Sequence, residues 1–360
     1  SHSGRAHARS KKKNVGRIML LLSVAYCPRI NWFCILSVKH EDNHMSAIKV
    51  SIVTNAKEET AAFIDGIFTD EMEVLLQTES ELRDGIADIN VMVPGHINVD
   101  ADLIKAGTNL KMIHCGTGYN NVDLDACNAN GTYVAVTPNV AAQSVAELVF
   151  ASFLSLGKKI TTFDAMMKGG GWKTTDFIDT PELLGKTLGI VGYGNIGKAA
   201  ARIARGFGMK LIAHDPHTDI TDDDVRSVSL DELLKESDFI TLHVLLTPET
   251  KGMMSTAQFE MMKDTAIIAN ACRGPVVDEA AITEALKARK IGGACLDVFE
   301  VEPLAANSEL RELDNVILTP HIAYCATEAL AGRFQFFADN VQKILDGAVP
   351  NMAVNGDLGK

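Results

Sequence analysis

The stretch Gly185-Lys-Thr-Leu-Gly-Ile-Val-Gly-Tyr-Gly-Asn-Ile-Gly197 decides the architecture. Thr187–Val191 is a short apolar run of strand character, and from Ile196 to about Phe207 the spacing is helical. Between them stand Gly192, Gly194 and Gly197. A lone glycine triplet occurs in many turns, but here each glycine has a physical task. The first permits a tight turn, the second lets backbone approach a pyrophosphate, and the third lets helix pack on strand. The helix start at Asn195 and Ile196 then favours negative charge. The next strand, Lys210–His214, runs into Asp215, 18 residues beyond Gly197. A carboxylate there accepts hydrogen bonds from an adenosine ribose and repels a 2′-phosphate, so the site is expected to take NAD rather than NADP.

Working outward, further strands are expected at Phe239–His243, Ala266–Asn270, Gly293–Asp297 and Val316–Leu318. Upstream ones are expected at Val50–Thr54, Ile89–Val93, Leu110–Cys115 and Thr132–Val136. Strands alternating with helix-length segments imply βαβ units, so the class is α/β with two doubly wound parallel sheets. Ser144-Val-Ala-Glu147 reads as a capping box opening a helix to about Lys158, apolar almost all round and hence buried between domains or subunits. A Gly-rich break at 169–172 follows. Ser229-Leu-Asp-Glu232 is a second capping box, and a last helix runs from about Glu328 to Leu345.

Residues 1–44 carry eight Lys and Arg against Glu41 and Asp42, a net of +6, so the remainder holds −18 of a total of −12. An acidic body disfavours nucleic acid and anionic membrane, and an anionic ligand must find its positive charge locally. The seven cysteines show no CxxC spacing, which suits reduced thiols rather than a disulfide framework or zinc site; no metal is expected. The basic start and the apolar run Ile18–Tyr26 look like a leader ahead of Met45, the expected functional start, so 1–45 is set outside the fold.

Three strand ends downstream of the fingerprint place polar groups where open α/β sheets bind ligands. Ala266–Asn270 leads to Arg273, Gly293–Leu296 leads to Asp297, Glu300 and Glu302, and Val316–Leu318 leads to His321. Singly, such an Arg is often a surface ion pair, such a His a cap and such a Glu a solvated loop acid. Together they suit reduction of a 2-keto acid. The guanidinium would hold the substrate carboxylate in its fork and polarise the ketone. The imidazole would donate the proton, and a carboxylate would orient it. Cys272 beside Arg273 could make the site thiol-sensitive, His243 reads as a packing or near-cofactor residue, and Asp222-Asp-Asp224 as a solvated acidic turn. Met253, Met254, Met261 and Met262 read as core.

Over about residues 48 to 350 the chain resembles the D-isomer-specific 2-hydroxyacid dehydrogenase family. The resemblance rests on six ordered stretches: Gly116-Thr-Gly-Tyr-Asn-Asn-Val-Asp123, Ser144–Glu147, Gly185–Gly197, Asn270-Ala-Cys-Arg-Gly-Pro-Val-Val-Asp278, Asp297-Val-Phe-Glu-Val-Glu-Pro303 and Thr319-Pro-His-Ile322. It implies that Arg273 binds the substrate carboxylate, His321 is the general acid/base and Glu302 its partner. It places Asp297 near the nicotinamide carboxamide. It also implies that Gly95, His96 and Gly118 complete the carboxylate pocket, with Tyr324 as a wall where related hydroxypyruvate reductases often have Trp. A Rossmann cofactor domain, 144–322, would be inserted in a flavodoxin-like substrate domain made of 46–143 and 323–355. Family members are commonly homodimers.

Phosphoglycerate dehydrogenases of the family use an Arg near the turn Val93-Pro-Gly-His96, where this chain has Pro94, and no Lys or Arg stands between Arg83 and Lys105. The chain ends at Lys360, short of the regulatory domain some of them carry. Both points favour an unphosphorylated substrate of the glyoxylate or hydroxypyruvate type, with D-3-phosphoglycerate dehydrogenase as the alternative. Formate dehydrogenases pair the His with Gln, which Glu302 argues against. Corepressor-like NAD(H)-sensing proteins share the scaffold and form the alternative of another class. An NAD-dependent reductase is expected in the cytoplasm, or in an organelle if the leader is genuine.

Overall fold

The computed structural model describes residues 47–137 and 140–358; the leader reading of 1–45 lies outside them. Five strands, β1 (Ile48–Val53), β2 (Met72–Gln77), β3 (Val91–Val93), β4 (Met112–Cys115) and β5 (Tyr133–Val136), form one parallel sheet in the order β2-β1-β3-β4-β5. That is the flavodoxin-like doubly wound order, with its switch point between β1 and β3. The second sheet holds seven parallel strands: β6 (Thr187–Val191), β7 (Lys210–His214), β8 (Val225–Ser227), β9 (Phe239–Leu242), β10 (Ile267–Asn270), β11 (Gly293–Leu296) and β12 (Val316–Leu318). Their order, β12-β11-β10-β9-β6-β7-β8, is the Rossmann arrangement with one added strand, and its switch point lies between β6 and β9.

The sequence reading misses β2, β8 and the helix Ile160–Lys168. Both strands are sheet edges. β2 buries only Met72, and β8 is three residues long, so neither carries the apolar run that marks a central strand.

Ser144–Glu147 is not a capping box. The helix begins earlier, at Ala142, with Ala141 at the N-cap and no side-chain cap. Ser144 is already helical, and its hydroxyl donates instead to the carbonyl of Ala323 at 2.6 Å. This ties the helix to the segment that follows His321. The helix buries Val145, Val149, Phe150 and Phe153, with Phe153 edge-on to Phe239 at 5.1 Å. Truncating Phe153 to Ala would cost about 3–5 kcal/mol. At Ser229 the cap is present, its hydroxyl accepting from the Glu232 amide. Met254 and Met262 are buried, with Met253 and Met261 packed against the same cluster.

The last helix, Thr327–Leu345, returns to the first sheet. Phe337, Val341 and Ile344 pack with Ile48, Val50, Val91 and Met112. The chain therefore leaves the first sheet, builds the second and comes back. That path places the carboxyl ends of both sheets against one cleft.

Candidate active site

The fingerprint turn lies at the switch point of the second sheet. Gly192 has φ +93°, which only glycine adopts without strain, and a Cβ there would run into the His243 backbone. A Cβ on Gly197 would overlap the Gly192 carbonyl. Gly194, by contrast, faces open space, and it stands as the uncapped N-cap of the helix Asn195–Gly206. An open approach onto a helix N-terminus fits a pyrophosphate.

Asp215 is aimed at the same turn. One carboxylate oxygen accepts from the Tyr193 amide at 2.8 Å and the other from the His217 amide at 2.9 Å. Burial works to raise this carboxyl, and the backbone donors outweigh it, leaving it below the usual range. The acidic turn at 222–224 is not merely solvated, as the sequence suggests. Asp222 accepts from the Tyr193 hydroxyl at 2.7 Å, and both Asp222 and Asp224 accept from Arg205. It thus braces the residue between two fingerprint glycines.

β10, β11 and β12 are consecutive neighbours, so their ends bring Arg273, Glu302 and His321 together. His321 Nδ1 donates to Glu302 Oε2 at 2.7 Å, and the second carboxylate oxygen accepts from the Phe299 amide at 3.1 Å. With Nδ1 engaged, Nε2 is the nitrogen left for substrate. His321 sits at φ +54°, a conformation that costs a non-glycine residue about 1–3 kcal/mol.

Asp297, expected beside the nicotinamide carboxamide, shows what holds that conformation. Its carbonyl accepts from the His321 amide at 2.8 Å. Its carboxylate accepts from Thr319 Oγ1 at 2.6 Å and from the amides of Ile322 and Ala323 at 2.9 Å each. At 3% exposure the group is a buried anchor for the His321 turn. Neither this role nor that of Asn270 was legible in the sequence. Asn270 is buried, donates to the Arg273 carbonyl at 3.0 Å and accepts from the Cys272 amide at 3.1 Å, shaping the turn that presents the guanidinium. A polar residue at a strand end, next to residues of evident chemistry, is the signal that could have found both.

The first sheet supplies the opposite wall. Gly95, at φ +60°, follows β3 at the switch point, and the ring of His96 stands 5.3 Å from that of His321. The Arg273 guanidinium reaches across to Gly118, filling the space a Cβ would need. Tyr324 lies 6.0 Å from the His321 ring. Every site residue named from the sequence other than those of the fingerprint turn and Asp215 therefore falls on or directly behind this cleft.

Burial, then the charge of His321, lowers the titration of His96. His243, partly buried beneath the fingerprint turn and hydrogen-bonded to Thr241 at 2.9 Å, is driven down to about 3 by burial, so it is a neutral group and no second base. Burial pushes the Cys272 thiol up to about 11, against a reactive thiolate beside Arg273. Among the described residues the five cysteines are free and no cluster of His, Cys, Asp or Glu could hold a metal.

Residues 150–323 match the family described as D-isomer specific 2-hydroxyacid dehydrogenase, NAD binding domain. The chain is 41% identical over 270 residues to the glyoxylate reductase of Thermococcus litoralis, covering 72% of this chain and 81% of that protein. It is 42% identical over 266 residues to the hydroxypyruvate reductase of Thermotoga maritima, covering 72% and 87%. The apo-structure of D-lactate dehydrogenase from Escherichia coli superposes with a TM-score of 0.78 at 27% identity, covering 85% of this chain and all of that one.

Proposed function

The chain belongs to the D-isomer specific 2-hydroxyacid dehydrogenase family, and from that premise we propose that it reduces a short, unphosphorylated 2-keto acid of the glyoxylate or hydroxypyruvate type. That it is an NAD-dependent oxidoreductase of 2-hydroxy acids follows from the family and the cofactor-domain match. The observation that carries the reaction is the meeting of Arg273 with the His321–Glu302 pair across the cleft from Gly118.

NADH supplies the hydride when bound. Arg273 forks the substrate carboxylate and places the ketone oxygen towards His321. The His321 Nε2 proton moves to that oxygen as negative charge develops there. Glu302 touches no substrate atom; it fixes ring orientation and tautomer, and Asp297 fixes the backbone beneath the ring. Running backwards, neutral His321 takes the hydroxyl proton.

Pro94 at the turn before His96, and the lack of a basic residue from there to Lys105, support an unphosphorylated substrate. The protein works as a homodimer in the cytosol. Large apolar side chains stand exposed at Ile160, Trp172, Phe177 and Leu184, with Phe177 at 95%, a surface a second copy would cover. The acidic body leaves nucleic acid and membrane out as partners, and no helix among the described residues is long and apolar enough to cross a bilayer. NADH oxidation with glyoxylate, hydroxypyruvate and phosphohydroxypyruvate tests the reading. The first two should be reduced well and the third poorly; a clear preference for the phosphate ester would overturn it.

A further inference from the structure

A second guanidinium stands at this cleft with no carboxylate acting on it among the described residues. Arg333 projects from the last helix, and the groups that act on its charge are Tyr324, Cys115 and Cys325, none of them a carboxylate. Its guanidinium lies over the Tyr324 ring, 6.0 Å from the centroid. On the other side it faces Gly116, where a Cβ would stand 3.8 Å from Cζ. Its charge reaches His96, whose ring is the neighbour of His321. Burial lowers its titration, and among the described residues only the weak acids just named act against that.

A half-buried cation with five N–H donors and no carboxylate beside it among the described residues is costly, so an anionic ligand that reached it would be stabilised there. The placement says which ligand. Gly116 meets Arg333, and Gly118 meets Arg273, so the two cations flank one three-residue turn. Two residues of chain span at most about 7 Å. Both guanidiniums therefore stand beside one short turn, where a single small substrate carrying an anionic oxygen group at each end could meet them. The fork of a guanidinium takes either a carboxylate or a phosphate bidentately, but the lack of any Lys or Arg between Arg83 and Lys105 leaves no further cation from that turn to neutralise a phosphate dianion, which favours the carboxylate. In a chain of net charge −12, two guanidiniums beside one short turn are a local exception that a dianion would neutralise.

We propose that Arg333 is the specificity residue at the far end of the substrate cleft, receiving a second carboxylate, so that the enzyme favours four-carbon 2-keto dicarboxylates over 2-keto acids ending in a methyl. Hydroxypyruvate, whose terminal hydroxyl accepts one of the same N–H groups, ranks between them. This rests on the reading that Arg273 and His321 reduce a 2-keto acid, and it sharpens that reading by naming what the substrate carries beyond its ketone.

The test measures kcat/KM with NADH for pyruvate, hydroxypyruvate, oxaloacetate and phosphohydroxypyruvate, in wild type, Arg333→Met and Arg333→Lys. Wild type should favour oxaloacetate over pyruvate by about 10- to 100-fold, the worth of a charge-assisted hydrogen bond. Arg333→Met should collapse that ratio at least roughly tenfold, mainly through KM, and Arg333→Lys should keep part of it. An unchanged ratio with all substrates declining together means a structural role and overturns the proposal, as does a wild-type preference for pyruvate. A preference for phosphohydroxypyruvate that Arg333→Met abolishes overturns the assignment to a carboxylate. If wild type reduces none of the four, the reaction reading has failed and Arg333 is judged by binding. Malonate should then perturb NADH fluorescence in wild type and not in Arg333→Met; equal binding to both would overturn the proposal.

Discussion

Nη2 of Arg273 occupies the space that a side chain at Gly118 would need, so a residue of the second sheet and a turn of the first share one contact across the cleft. Replacing Gly118 by Ala should push the guanidinium aside without touching the fingerprint turn. We expect KM for the keto acid to rise roughly 10- to 100-fold while NADH affinity stays within about threefold. Steady-state kinetics and NADH fluorescence titration check this; an unchanged KM would show that the guanidinium is not confined by Gly118.

Asp297 holds the His321 turn through three hydrogen bonds to its carboxylate. Asp297→Asn turns an amide N–H₂ towards backbone donors. It should lower stability by about 1–3 kcal/mol and kcat roughly 10- to 100-fold. Chemical denaturation and single-turnover reduction measure the two effects. A fall in stability with kcat preserved would mean that the imidazole does not depend on this anchor.

Asp215 is fixed by the Tyr193 and His217 amides with its charge facing the fingerprint turn. Asp215→Ser should raise the NADPH-to-NADH ratio of kcat/KM by roughly tenfold or more, since a carboxylate repels the 2′-phosphate. Equal discrimination in variant and wild type would place the ribose elsewhere.

Acid should destabilise the fold before any carboxylate titrates. Burial sets His114 and His243 at about 3 in the folded chain, against 6.5 for the free ring. Below 6.5 the unfolded chain takes up protons that the folded chain refuses, so stability present above that pH is lost progressively down to about 3. The slope approaches about 1.4 kcal/mol per pH unit for each histidine. His114 packs between Phe336 and Phe337 with Nε2 unpartnered, so His114→Leu should flatten part of this slope. Melting temperatures measured between about pH 7.5 and 5 decide the matter; a flat profile in wild type would contradict it.

Much of this was legible in the sequence because the central strands are apolar runs followed directly by polar chemistry. Thr187–Val191, Lys210–His214 and Val316–Leu318 fall where they are expected, and Arg273, Glu302 and His321 converge because β10, β11 and β12 are neighbours. The misses have physical causes. β2 and β8 are edges with little burial, and Ser144 satisfies the local pattern of a cap while a distant carbonyl, that of Ala323, claims its hydroxyl. Arg333 could not be found at all. It lies twelve residues beyond His321 on an amphipathic helix, and only the return of that helix to the first sheet brings it beside Gly116.

The most direct test of the central claim compares wild type with His321→Gln, following NADH absorbance with the best 2-keto acid and NADH binding by fluorescence. We predict that kcat falls roughly 10²- to 10⁴-fold while NADH affinity is retained. Reduction that persists in His321→Gln at near wild-type rate would contradict the assignment of the proton donor, and with it the account of this cleft.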